Sequence, residues 1–191
     1  SQMGLEDLSL FRSLPKSIIF YPCDAISTEK LVYLAANTKG LKYIRTTRAK
    51  TPIIYNQSEN FSIGDFKTLK QSSNDKAVLI GAGITLHESI KAHEILKQKN
   101  IYTSVIDLYC IKPLNIKKLS LFIKQHGNRL IITEDHYKEG GIGEMFCEEL
   151  ANSGINIKHL AIDVIPHSGT SEELLDKYKI SAKHIAAQPI A

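Results

Sequence analysis

The 191-residue chain has no Cys-x-x-Cys pair, and its three cysteines, Cys23, Cys110 and Cys147, are far apart and odd in number. Such spacing supports neither a zinc site nor a disulfide framework and fits free, mostly buried thiols in a reducing compartment. No apolar run approaches the ~18 residues that cross a bilayer, and no signal peptide opens the chain. Internal repeats and low-complexity tracts are missing too. The net charge is only +4, and the longest basic cluster is Lys117-Lys118. A nucleic-acid surface gathers basic residues on one face, which scattered lysines do not. The expectation is a cytoplasmic, soluble protein that binds neither nucleic acid nor membrane.

What is present is a patterned α/β chain, 43% hydrophobic, with enough apolar residues for one domain or one and a fraction. It opens at Ser1-Gln2-Met3 without an initiator methionine and reads as the C-terminal part of something longer. Two polar breaks, residues 56–60 and 71–75, divide it, and the boundary is expected near Lys70. In the first half, Leu5, Leu8, Phe11 and Leu14 recur at helical spacing up to Pro15. A short strand is expected at Ile18–Phe20, a helix from Thr28 to Asn37 with Lys39-Gly40 as its stop, and a β-rich run from Leu41 to Thr46. In the second half, strands are expected at Ala77–Gly81, Tyr102–Leu108, Arg129–Glu134 and Ile155–Val164. Helices are expected at Thr85–Lys99, Ile116–Gln125, Gly143–Ala151, Ser171–Tyr178 and Ser181–Ala187, the first opened by a Thr85/Glu88 capping box. This alternation predicts a mostly parallel sheet with right-handed crossover helices, preceded by part of a second α/β domain.

Several motifs carry possible chemistry. Ile80-Gly81-Ala82-Gly83 follows a strand and precedes a helix, as in a dinucleotide fingerprint, with Asp107 near the end of the next strand. The third glycine is replaced by Leu86, however, and glycines serving a tight strand-to-helix turn are the better explanation. The seven histidines form no metal pair. His136 lies just past a strand end, and Gly140-Gly141-Ile142-Gly143 could turn N–H groups toward an anion. The favoured alternative is a structural turn with His136 bonded to a neighbouring carboxylate. Arg48 closes Ile44-Arg45-Thr46-Thr47-Arg48, where a guanidinium and threonine hydroxyls suit a phosphate. A surface salt bridge is the alternative. Strand alternation would turn Arg45 and Arg48 to opposite sides, so the two should not share one job.

Together these segments resemble transketolase. The resemblance runs from Ser1 to Ala187 and rests on SQMGLEDLSLFRSLP, YPCDAISTEK, LAANTKG, IRTTR, IIYN, IGAGITLHE, IKPLN and EDHYKEGGIGE, in that order. It implies that residues 1–70 are the C-terminal portion of a pyrimidine-binding domain and residues 71–191 the transketolase C-terminal domain. The family uses thiamine diphosphate and a divalent cation (Mg or Ca) to move a two-carbon ketol unit between sugar phosphates, a transferase reaction of the pentose phosphate pathway. Its active site lies at a homodimer interface.

By the same resemblance, Gln2 matches a residue near the cofactor, just past the family's Asp-Gly-Pro turn. Arg48 matches the arginine that grips the sugar phosphate, and Arg45 has no assigned role. No residue here matches the catalytic glutamate, the metal-binding Gly-Asp-Gly motif or the proton-relaying histidines. The piece is therefore expected to contribute no catalytic or metal-binding residue, to bind no cofactor alone, to be inactive without the rest of the chain, and to leave sheet edges exposed. Two other readings stay open. One is a related thiamine-dependent enzyme, 1-deoxyxylulose-5-phosphate synthase or the β-type subunit of a 2-oxoacid dehydrogenase. The other is a non-catalytic dimerisation or regulatory module.

Overall fold

The structure, a computed structural model, describes residues 4–48 and 50–190. Its first unit is a β-α-β crossover. Helix α1 (Asp7–Arg12) leads into β1 (Ile18–Phe20), α2 (Ala25–Ala36) and β2 (Lys42–Ile44), and β2 pairs parallel to β1. Helix α2 begins three residues before the expected Thr28, because Asp24 is its N-cap. The Asp24 carboxylate accepts the Ser27 N–H, and the Ser27 hydroxyl accepts the Asp24 N–H in return, a complete capping box.

The second unit is a five-stranded sheet. Its strands are β3 (Lys67–Lys70), β4 (Ala77–Gly81), β5 (Thr103–Asp107), β7 (Arg129–Tyr137) and β8 (Asn156–Ile162), in the order β3-β5-β4-β7-β8. Only β3, on the edge, runs antiparallel. Strand β4 reads Ala-Val-Leu-Ile-Gly and is buried throughout, as a strand covered on both faces must be. Its residues alternate between two cores. Val78 and Ile80 pack with Leu119 and Ile123 of α4 (Ile116–Gln125) and Phe146 of α5 (Ile142–Glu149). Ala77 and Leu79 pack with Leu86 and Leu96 of α3 (Ile84–Gln98) and Ile185 of α7 (Ala182–Ala186). A further short helix, α6 (Ser171–Lys177), covers the end of β8 through Leu174 and Leu175.

One strand ties the units together. Strand β6 (Cys110–Lys112) follows β5 but pairs antiparallel with β1, giving a three-stranded sheet β2-β1-β6. Neither β3 nor β6 was expected: Lys-Thr-Leu-Lys and Cys-Ile-Lys are too short and too polar to show a period of two.

The glycine turn before α3 is a packing device. A Cβ on Gly81 would stand 2.6 Å from the backbone nitrogen of Leu86. Gly83 takes φ +55°, and a Cβ there would overlap the Tyr21 ring. An aromatic side chain of the first unit thus fills the place where a dinucleotide would sit. The expected Thr85/Glu88 capping box is absent. Gly83 is the N-cap, Thr85 bonds Ala82, and the Glu88 carboxylate pairs with Lys91 and accepts the Ala182 N–H. Gly83→Ala should cost about 2–4 kcal/mol, from backbone strain and displacement of Tyr21. Denaturant unfolding checks this, and an unchanged midpoint would show that the turn does not depend on that contact.

Candidate functional site

The C-terminal ends of parallel strands are where α/β proteins gather their polar groups. Here β1 and β2 end at a cavity of about 420 Å³. Cys23, Asp24 and Thr28, around the start of α2, form one part of its lining; Thr46, Lys50 and Thr51, past the end of β2, form another. A larger hollow, about 590 Å³, lies between β3 and α4, lined by Phe66, Lys67, Lys118 and Leu121 among others. Both of its lysines are already neutralised, Lys67 by Glu59 at 2.6 Å and Lys118 by Asp65 at 2.7 Å. The cavity beside α2 is therefore the better candidate.

Asp24 organises that cavity. One carboxylate oxygen accepts the N–H and hydroxyl of Ser27; the other accepts the N–H groups of Ile54 and Tyr55 at 2.7 and 2.9 Å. Burial alone would raise its pKa, but these four donors outweigh burial and hold it below the usual carboxylate value. Asp24 thereby ties the segment carrying Lys50 and Thr51 back onto α2. Sequence reading placed no function on Asp24, because two of its partners lie 30 and 31 residues away.

The two arginines expected to differ do so completely. Arg45 Nε lies 3.1 Å from Asp7, its Nη1 3.0 Å from the Asp135 carboxylate and its Nη2 3.0 Å from the Asp135 carbonyl. Its guanidinium also stacks 4.8 Å from the Tyr21 ring centroid. Burial works against the charge, yet Asp135, Tyr21 and Asp7 together push the Arg45 pKa up. Tyr21 and Tyr43 complete the cluster by donating to Asp135 and Asp7 at 2.8 and 2.6 Å. Burial and the Asp7 bond raise Tyr43 to about 12.

Arg48, by contrast, is exposed, and among the described residues no carboxylate pairs with it. In the chain it lies between Thr47 and Lys50, both of which line the cavity. Among the described residues, the surface salt bridge weighed for it does not form. Gln2 lies outside the described residues.

The glycine-rich turn before α5 does meet an anion, and that anion belongs to the chain. Glu134 accepts the N–H groups of Ile142 and Gly143 at 2.6 and 3.0 Å, with His159 Nε2 at 2.5 Å. His136 does not bond a carboxylate as expected. Its Nδ1 faces the Tyr137 carbonyl at 2.6 Å, and its Nε2 accepts the Ser9 N–H at 3.3 Å, fastening α1 to β7. Among the described residues no group of three or more His, Cys, Asp or Glu side chains could hold a metal ion, and no helix is long and apolar enough to cross a membrane.

The family profile described as the transketolase pyrimidine binding domain matches residues 1–53, and the transketolase C-terminal domain profile matches residues 66–185. The chain belongs to the transketolase family. It is 52% identical over 188 residues to transketolase-like protein 2 of Mus musculus, covering 98% of this chain and 30% of that one. It is 46% identical over 187 residues to Homo sapiens transketolase, covering 97% and 30%. The chain thus spans about a third of the length of these curated relatives.

Two solved structures share the fold. One, described as a split gene transketolase in an inactive beta4 tetramer, matches with a TM-score of 0.87 at 27% identity, over 97% of this chain and 60% of that one. A transketolase from Campylobacter jejuni matches with a TM-score of 0.75 over 96% and 27%; at 17% identity it supports the fold alone. The α/β architecture and the transketolase family relationship expected from sequence are both found.

The contrast between the arginines gives a direct test. Arg45→Ala leaves Asp7 and Asp135 partly buried without their cation and should cost about 3–5 kcal/mol of stability. Arg48→Ala removes no carboxylate pairing among the described residues and should stay within about 0.5 kcal/mol of wild type. Equal effects on the denaturation midpoint would contradict this division of roles.

Proposed function

We propose that this transketolase-family chain supplies the sugar-phosphate end of an active site that is completed by further protein. Arg48 holds the phosphate of the substrate, and Gln2 stands beside the cofactor. The full enzyme transfers a two-carbon ketol unit between sugar phosphates, with thiamine diphosphate and a divalent cation, as a cytoplasmic homodimer. The single observation that carries this reading is the position of Arg48: exposed, without a carboxylate partner among the described residues, and next in the chain to residues lining a hydroxyl-rich cavity. A free guanidinium presents paired N–H donors that match phosphate oxygens. Asp24, which lines that cavity, does not repel an anion strongly, because four hydrogen-bond donors meet its carboxylate.

The cofactor itself is not accounted for by these residues. No donor set for its cation is found among the described side chains. The chain's own contribution is to bind and orient substrate, and the piece is inactive alone. The split-gene neighbour supports this division, since it is described as an inactive beta4 tetramer.

Arg48→Ala, assayed in a complete enzyme carrying this segment, should raise KM for phosphorylated sugars roughly 10- to 100-fold, the loss of one charge-assisted contact. KM for unphosphorylated sugars should change less than about threefold, with kcat nearly constant for both. Equal loss for both substrate classes would count against a phosphate role.

A further inference from the structure

The segment after β2 is tied down at both ends. At its start, Arg45 is held by Asp7 and Asp135. At its end, Asp24 accepts the N–H groups of Ile54 and Tyr55, and the Tyr55 hydroxyl donates to Asp107, the last residue of β5, at 2.7 Å. The Cys23 thiol donates to the same Asp107 oxygen at 3.5 Å, so the cavity wall is joined to the five-stranded sheet. Between these anchors the chain carries Arg48 and Lys50. Both are exposed, and among the described residues neither forms an ion pair with a carboxylate.

Charge balance gives Lys50 a part that Arg48 cannot fill alone. Of the described residues that line the cavity, only Asp24 and Lys50 bear a charge. Asp24 is held as an anion by its four donors. Without cations the lining would be negative. Lys50 brings it to neutrality, and Arg48, two residues earlier in the chain, makes the whole positive. With either cation removed, an entering anion meets no net attraction. The two cations also differ in kind. A guanidinium is a planar fork that orients a phosphate, whereas an ammonium is a compact point charge on a flexible stem.

We propose that Lys50 is the second cation of the phosphate site, a substrate-binding residue that sets its preference for a doubly charged phosphate monoester over a singly charged or neutral group. This deepens the phosphate reading of Arg48 and rests on it. A phosphate monoester loses its second proton near pH 6 and so carries close to two charges at neutral pH. A sulfate ester of similar shape carries one. Thr46 and Thr51 line the same cavity, and their hydroxyls can donate to ester oxygens of either kind. Discrimination by charge therefore falls to the cations.

The test uses a complete enzyme carrying this segment and one aldose in three forms: its phosphate ester, the sulfate ester at the same hydroxyl, and the unmodified sugar. Lys50→Ala should raise KM for the phosphate ester roughly 5- to 30-fold. For the sulfate ester the rise should be about the square root of that factor, since Coulomb energy scales with ligand charge. KM for the unmodified sugar and kcat for all three should be nearly unchanged, a pattern that a merely structural role would not produce. Lys50→Arg keeps the charge and should stay within about twofold of wild type. Equal losses for the two esters, or a phosphate-ester KM within twofold of wild type in Lys50→Ala, would overturn the proposal. Arg48→Ala, assayed alongside, separates this failure from that of the underlying reading. A selective phosphate defect there, with none in Lys50→Ala, removes Lys50 alone; no selective defect in either variant removes the phosphate site itself.

Discussion

The Arg45 guanidinium is the point on which the rest of this arrangement depends. It stands between Asp7 before β1 and Asp135 in β7, with the Tyr21 ring against one face. A cation so enclosed is costly to bury without partners, and its partners are costly to leave without it. The end of β2 is therefore fixed against the five-stranded sheet at Arg45. Three residues later the chain is outside that network, and Arg48 carries its charge into solvent. The pairing of β6 with β1 reinforces the join by giving a strand of the second unit a place in the first unit's sheet.

Two carboxyl groups around the cavity meet burial in opposite ways. Asp24 is supplied with four donors and is held as an anion. Asp107 has two neutral donors on one oxygen and none on the other, and burial pushes its pKa up to about 7. A third acidic side chain, Glu134, closes the N-terminus of α5 and so takes the donors that the glycine-rich turn would offer an external anion. The segment after β2 keeps Thr46, Thr47, Lys50 and Thr51 along the cavity, and the proposed phosphate contact rests on that segment.

Much of this was readable from local pattern. Ala77–Gly81 is a continuous apolar run, and it became the buried central strand. Arg45 and Arg48 do differ in placement, but β2 ends at Ile44, so strand alternation does not reach either of them; Arg45 is held by Asp7 and Asp135 and Arg48 is exposed. Failures came where the deciding partner is remote. The Thr85/Glu88 spacing looked like a cap, but Glu88 is taken by Ala182, 94 residues on. His136 was matched with an adjacent carboxylate when its distant partner is the Ser9 N–H, 127 residues away. The Asp107 cluster was invisible for the same reason, since Tyr55 and Cys23 lie 52 and 84 residues from it. Strand β6 exists only because β1 offers it an edge.

The most direct measurement is a titration of isotope-labelled chain with inorganic phosphate, followed by backbone amide NMR shifts. Saturable shifts at Thr46, Thr47 and Lys50, extending to the start of α2 and abolished by Arg48→Ala, are the expected result. Shifts that never saturate and spread over the surface lysines, or no response in this segment, would contradict a phosphate site at Arg48.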